Sequence, residues 1–207
     1  MVSSFRHLKP LVYLISPNKI YPNFYTELNK VLASKKVSFF QLRLKNRPKD
    51  QIIKIAKKIK IITKKHKVKF IINDNPKIAK KVNADGCHIG QLDGSIELAR
   101  KDINNKIIGV TCHNSKELAL EASKNGADYL AFGSFFRSKL KPNAKKADIK
   151  ILTWAKKNIK KPIVVIGGIT DKNYKKLIKA GGNYIAISSF IWNNQFLKSE
   201  IVIKKFK

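Results

Sequence analysis

The chain has 207 residues, with 44 Lys or Arg against 13 Asp or Glu, a net charge of +31 and 43% hydrophobic residues, enough to bury a core and too apolar for global disorder. Its two cysteines, Cys87 and Cys112, are too few for a disulfide scaffold or a zinc cluster. No apolar run reaches the about 18–20 residues of a membrane span, and the short run Leu11–Ile15 lacks a following small-residue cleavage site, so the expected location is cytoplasmic.

Along the chain, short β-rich apolar runs alternate with stretches of helical period. The first candidate strand is Leu11–Ile15, and the second is Ser38–Leu44. A helix follows over Gln51–Lys65, where Ile52, Ile55, Ala56, Ile59 and Ile62 recur on one face and lysines fill the rest. Strands Val68–Ile72, Gly86–Ile89 and Lys106–Val110 come next. Ser115–Lys124 reads as a helix capped by Asn114 or Ser115, with Glu117 in its first turn. Then follow strands Tyr129–Phe132 and Ile163–Ile166, the helix Asp171–Lys179 stopped by Gly181-Gly182, and strand Tyr184–Ile187.

Three helix-to-strand turns echo one another: Val82-Asn83-Ala84-Asp85-Gly86, Asn125-Gly126-Ala127-Asp128-Tyr129 and Ala180-Gly181-Gly182-Asn183-Tyr184. Strands alternating with helices pair in parallel, because a parallel crossover needs a helix. Eight such units predict an α/β fold, a single-domain (β/α)8 TIM barrel over residues 1–207, with a doubly wound open sheet as the rival architecture.

In a parallel barrel the chemistry sits at the C-terminal strand ends. After the second strand, Gln41, Arg43 and Lys45 alternate, which on a strand points all three one way. Inward Gln, Arg and Lys call for an anionic ligand; a solvated strand end is the plainer reading. Asp74 follows the third strand and Asp93 the fourth. Two carboxylates at neighbouring strand ends suit Mg²⁺, which takes one or two carboxylates plus phosphate oxygens. Each could equally cap the helix after it. Gly167-Gly168 after the seventh strand and Ser188-Ser189 after the eighth match the usual phosphate site of such barrels. The loop Ser138-Lys139-Leu140-Lys141-Pro142 after the sixth is basic enough to reach a phosphate. Two anion sites are thus expected, one of them suited to a metal-bound pyrophosphate.

The charge has two readings. It could serve a polyanion, but only five of the basic residues are arginine and lysine runs the whole length of the chain. That pattern, with abundant Ile and Asn, fits compositional drift better than a nucleic-acid surface, which concentrates its charge and uses Arg forks.

In order and spacing, Gln41-Leu42-Arg43-Leu44-Lys45, Ile72-Asn73-Asp74, the run from Ala84 through His88-Ile89-Gly90-Gln91-Leu92-Asp93, Gly109-Val110-Thr111-Cys112-His113, Gly126-Ala127-Asp128-Tyr129 and Val165-Ile166-Gly167-Gly168-Ile169 resemble the thiamine phosphate synthase family. The resemblance implies a transferase of thiamine biosynthesis. It joins hydroxymethylpyrimidine pyrophosphate to a thiazole phosphate with release of pyrophosphate. It also implies that Gln41, Arg43 and Lys45 hold the pyrimidine pyrophosphate with Asn73, Thr111 and Lys141. Asp74 and Asp93 would bind Mg²⁺, and Gly168, Ser188 and Ser189 the thiazole phosphate. Arg43, Lys45 and Lys141 would carry the catalytic charge. Where the family has Thr-x-Thr-Lys, this chain has Ser138-Lys139-Leu140-Lys141, so Ser138 keeps one hydroxyl and Leu140 cannot donate. The partners implied are phosphorylated small molecules, not a membrane or nucleic acid; a homo-oligomer is left open. The alternatives are a thiazole tautomerase of the same superfamily, with His113 as its acid/base, and a degenerate barrel that binds polyanions.

Overall fold

Eight short strands, β1 (Val12–Ile15), β2 (Val37–Leu42), β3 (Lys69–Asn73), β4 (Gly86–Ile89), β5 (Ile107–His113), β6 (Tyr129–Phe132), β7 (Ile163–Ile166) and β8 (Tyr184–Ile187), pair in parallel in sequence order and close into a barrel through β1–β8. The structure is a computed structural model and describes residues 12–137 and 145–206. Leu11 of the first candidate strand lies outside the described residues. The helices α1 (Phe24–Ala33), α2 (Lys49–Lys65), α3 (Pro76–Lys81), α4 (Ile96–Ile103), α5 (Lys116–Lys124), α6 (Lys150–Asn158) and α7 (Tyr174–Ala180) follow β1 to β7 in turn. Two further one-turn helices, α8 (Ser189–Trp192) and α9 (Ser199–Val202), follow β8.

Strand alternation divides the core in two. Val12 and Leu14 of β1 point outward with Val37, Phe40 and Leu42 of β2, into the layer covered by the helices. Tyr13, Ile15, Phe39, Ile71, Tyr129, Ala131, Val164, Tyr184 and Ala186 fill the barrel itself. This interior is aromatic: Phe39 stacks on Tyr13 and meets Tyr184 edge-on. Gly109 of β5 makes room for it, since a Cβ there would stand 1.8 Å from Tyr129 Cζ.

The echoing turns share a physical device. Asp85 accepts from the N–H of Phe70, Asp128 from that of Ile108 and Asn183 from that of Ile163, each at 2.8 Å. The residue before one strand thus satisfies an N–H of its neighbouring strand, which fixes both in register. Arg100 locks one of these turns, with a guanidinium nitrogen 3.0 Å from Asp128 and another at the Lys106 carbonyl.

Several boundaries shift from the sequence reading by one to three residues, and two of the shifts bear on the site. β2 ends at Leu42, so Arg43 and Lys45 leave the strand and are placed by the loop that follows. β5 runs on to His113 through a bulge between Thr111 and His113.

Candidate active site

The strand ends carry two adjoining groups of polar side chains. In the first, at the ends of β2, β3 and β4, Lys45 Nζ lies 2.5 Å from Asp74 Oδ2. The Asp93 carboxylate is close enough to Asp74 to act on it. Burial raises the Asp74 pKa above the usual carboxylate value, Lys45 pulls it back, and Asp93 pushes it up again. The group thus sets two neighbouring carboxylates, Asp74 and Asp93, beside the one ammonium that pairs with Asp74.

Neither aspartate caps a helix. Asn75 accepts from the N–H of Ile78 at the start of α3, and Ser95 from that of Leu98 at the start of α4. Asp93 instead accepts from the N–H of Gly90, bending the β4 loop back on itself. Asp74 has φ 60°, held there while its own N–H donates to the His88 carbonyl at 2.7 Å. Asn73 ends β3 directly opposite His88.

The second group lines an open cleft. Arg43, Thr111, Gly168, Ser188 and Ser189 meet there with Ser16, Asn18, Ser134 and Phe190. Arg43 is anchored by its backbone N–H to Ser16 Oγ at 2.9 Å, and one guanidinium nitrogen lies 3.5 Å from Asn18 Oδ1. Ser188 Oγ donates to the Ser16 carbonyl at 3.0 Å, tying the end of β8 to the end of β1. Gly167 and Gly168 both take positive φ, 106° and 59°, and the β6 loop passes so near that a Cβ on Gly168 would stand 2.4 Å from the Arg137 carbonyl. Phe135 and Phe136 donate from that loop to Ile166 and Gly167. Asn173 then pins the glycine turn by donating to the Gly168 carbonyl at 3.0 Å. The result is a rigid concave floor beside the first turn of α8, whose leading N–H groups no intrahelical bond uses.

Gln41 lies beneath both groups, buried in the barrel mouth, with Nε2 3.2 Å from the Tyr13 hydroxyl. Tyr13, Tyr129 and His88, which the sequence reading did not single out as site residues, continue inward from it. Their sequence signal is parity, for Tyr13 alternates with outward Val12 and Leu14 just as Tyr129 alternates with Leu130. Burial pushes the His88 pKa down to about 4, so its imidazole is neutral at pH 7. His113 is exposed on the far side of the β5 bulge, and the helix start near it is capped by Ser115. Ser138 and Lys141 lie outside the described residues, as do Lys139, Leu140 and Pro142.

The family profile described as thiamine monophosphate synthase matches residues 12–191. The chain belongs to this family. A thiamine-phosphate synthase of Pelagibacter ubique is 56% identical over 200 residues, covering 96% of this chain and 97% of the relative. Another, of Erythrobacter litoralis, is 40% identical over 88% of each. Among solved structures, a thiamine phosphate pyrophosphorylase of Pyrococcus furiosus superposes with a TM-score of 0.85 at 29% identity, covering 95% of this chain and 93% of that one.

Proposed function

We propose that this transferase joins hydroxymethylpyrimidine pyrophosphate to a thiazole phosphate, releasing pyrophosphate, and that residues 1–207 do so as a single domain. The observation that carries the reading is the pairing of Lys45 with Asp74, itself next to Asp93, together with a cleft lined by Arg43, Thr111, Gly168, Ser188 and Ser189.

Among the described residues no third carboxylate, His or Cys joins the two aspartates. A pair of hard oxygens with the remaining ligand positions open fits Mg²⁺ and suits a cation shared with a pyrophosphate. Asp74 and Asp93 would hold that ion, which when bound adds positive charge at the leaving oxygens.

The protein's own part follows from charge. As the methylene C–O bond breaks, its electron pair passes to the pyrophosphate, and Arg43 and Lys45 stand where that charge collects. Gln41, Asn73 and Thr111 fix the pyrimidine substrate through its polar edges. The thiazole phosphate sits against Gly168, Ser188 and Ser189, aiming the ring nitrogen at the methylene. The nitrogen lone pair then forms the new C–N bond. No protein nucleophile and no protein-borne proton transfer is needed, so positioning and electrostatics do the work. Lys141 and Ser138 complete the set by resemblance.

A thiazole tautomerase expels no pyrophosphate and gives the paired carboxylates no task. A coupled assay decides between the two: pyrophosphate release that needs both substrates and Mg²⁺ supports the synthase. Tautomer conversion without release rejects it.

A further inference from the structure

Five side chains from five strands form one unbroken hydrogen-bonded chain through the barrel interior. Gln41 Nε2 is 3.2 Å from the Tyr13 hydroxyl, and that hydroxyl is 2.7 Å from the hydroxyl of Tyr129. Tyr129 Oη is 2.9 Å from His88 Nδ1, and His88 Nε2 is 2.8 Å from Thr111 Oγ1. One end is thus a residue of the barrel mouth and the other a wall of the cleft.

Proton counting leaves two arrangements. Each tyrosine has one proton to give, and a neutral imidazole has one. Running from Gln41, the amide donates to Tyr13, Tyr13 to Tyr129, and Tyr129 to Nδ1; the Nε2–H then donates to Thr111. Running the other way, Thr111 donates to Nε2, the Nδ1–H donates to Tyr129, Tyr129 to Tyr13, and Tyr13 to the amide oxygen of Gln41. Any mixture sets two donors face to face or leaves a buried hydroxyl proton without an acceptor, which is costly.

The cleft end chooses between them. Thr111 lines the same cleft as Arg43, Gly168 and Ser188, a surface suited to anions. An ionised phosphate oxygen accepts and has no proton to donate. In the first arrangement the Thr111 oxygen is already occupied by Nε2–H and its proton is free for the anion. In the second that proton is spent on His88.

We propose that His88 is a positioning residue: as an Nε2–H donor, oriented by Tyr129 and Tyr13, it turns the Thr111 hydroxyl proton toward an anionic oxygen of the bound pyrophosphate group. This deepens the synthase reading above and rests on it. Gln41 and Thr111 are then two ends of one directional chain, so substitution in the middle is felt at both.

The direct test is nitrogen NMR of protein labelled with ¹⁵N-histidine, with Mg²⁺ and inorganic pyrophosphate as the probe. A neutral His88 protonated at Nε2 is expected; protonation at Nδ1 overturns the proposal without any variant being made. Kinetics give the second arm. His88→Ala lowers kcat about tenfold or more while KM for the thiazole phosphate holds, and His88→Gln, whose amide can still donate to Thr111, restores part of the loss. In a Thr111→Val background His88→Ala costs less than about twofold further, because its target is gone. Full additivity of the two losses overturns the proposal. Tyr129→Phe, which keeps the ring, gives the same direction of effect as His88→Ala. If the native protein gives no turnover, yet shows the Nε2–H form and a pyrophosphate affinity that His88→Ala weakens, the positioning role stands and the synthase reading falls.

Discussion

Gly109→Ala puts the barrel interior to a quantitative test. The added Cβ would stand 1.8 Å from Tyr129 Cζ and 2.3 Å from both Cε2 and the hydroxyl oxygen. Ordinary contact needs the ring to retreat by about 1.6 Å, and it has nowhere to go, packed 5.7 Å centroid to centroid against Tyr13 and stacked on His88 at 5.6 Å. Overpacking of this kind costs about 1–3 kcal/mol. The retreat also breaks the 2.7 Å and 2.9 Å hydrogen bonds of the Tyr129 hydroxyl, adding about 1 kcal/mol or more for each buried group left unpaired. The sum is about 3–5 kcal/mol, which for a chain of this size lowers Tm by about 7–12 °C. The assay is urea and thermal unfolding, with Gly94→Ala as the comparison. A Cβ on Gly94 meets open space, so only its φ of 105° is strained, at a cost of about 1–2 kcal/mol. Equal losses at the two glycines would refute the packing argument, as would an unchanged Tm for Gly109→Ala.

Asp74→Asn is expected to lower Mg²⁺-dependent turnover by about 100-fold or more while the fold survives, since the carboxylate is half-buried beside Lys45 and Asp93 and its burial already disfavours charge; steady-state kinetics over a Mg²⁺ series checks it. Ser188→Ala removes the 3.0 Å bond to the Ser16 carbonyl and is expected to cost about 1 kcal/mol of stability and to raise KM for the thiazole phosphate alone. For His88 the folded pKa of about 4 lies below the unfolded 6.5, so the unfolded chain takes up the proton first as pH falls. Stability from this group is therefore complete above about pH 6.5 and declines toward pH 4, by up to about 3 kcal/mol. Denaturant unfolding at pH 7 and pH 4.5 should show a larger fall for the native protein than for His88→Gln, and equal falls would show that burial of the imidazole is not the cause.

Much of the site is legible in the amino-acid sequence alone. Lysine-filled α2, with its apolar face at helical spacing, and the repeated turns before β4, β6 and β8 are written in local pattern. Local pattern is what periodicity reports. The residues at the strand ends follow, because a parallel barrel has one face for chemistry. The aspartates are ambiguous in sequence, since a carboxylate near a helix start suits a cap as well as a cation. The fold removes the cap from that choice by giving the task to Asn75 and Ser95.

What sequence could not supply is partnership at a distance. Tyr13 and Tyr129 are 116 positions apart, and Trp192 Nε1 donates to the Ile15 carbonyl across 177. In sequence His88 is one more strand residue; closure of the barrel sets it between Tyr129 and Thr111. The physical reason is the same throughout. Which face a side chain takes is set by its own neighbours along the strand. Which side chain it meets there is set by the closed sheet, whose register joins β1 to β8 and brings the strand ends round a common mouth.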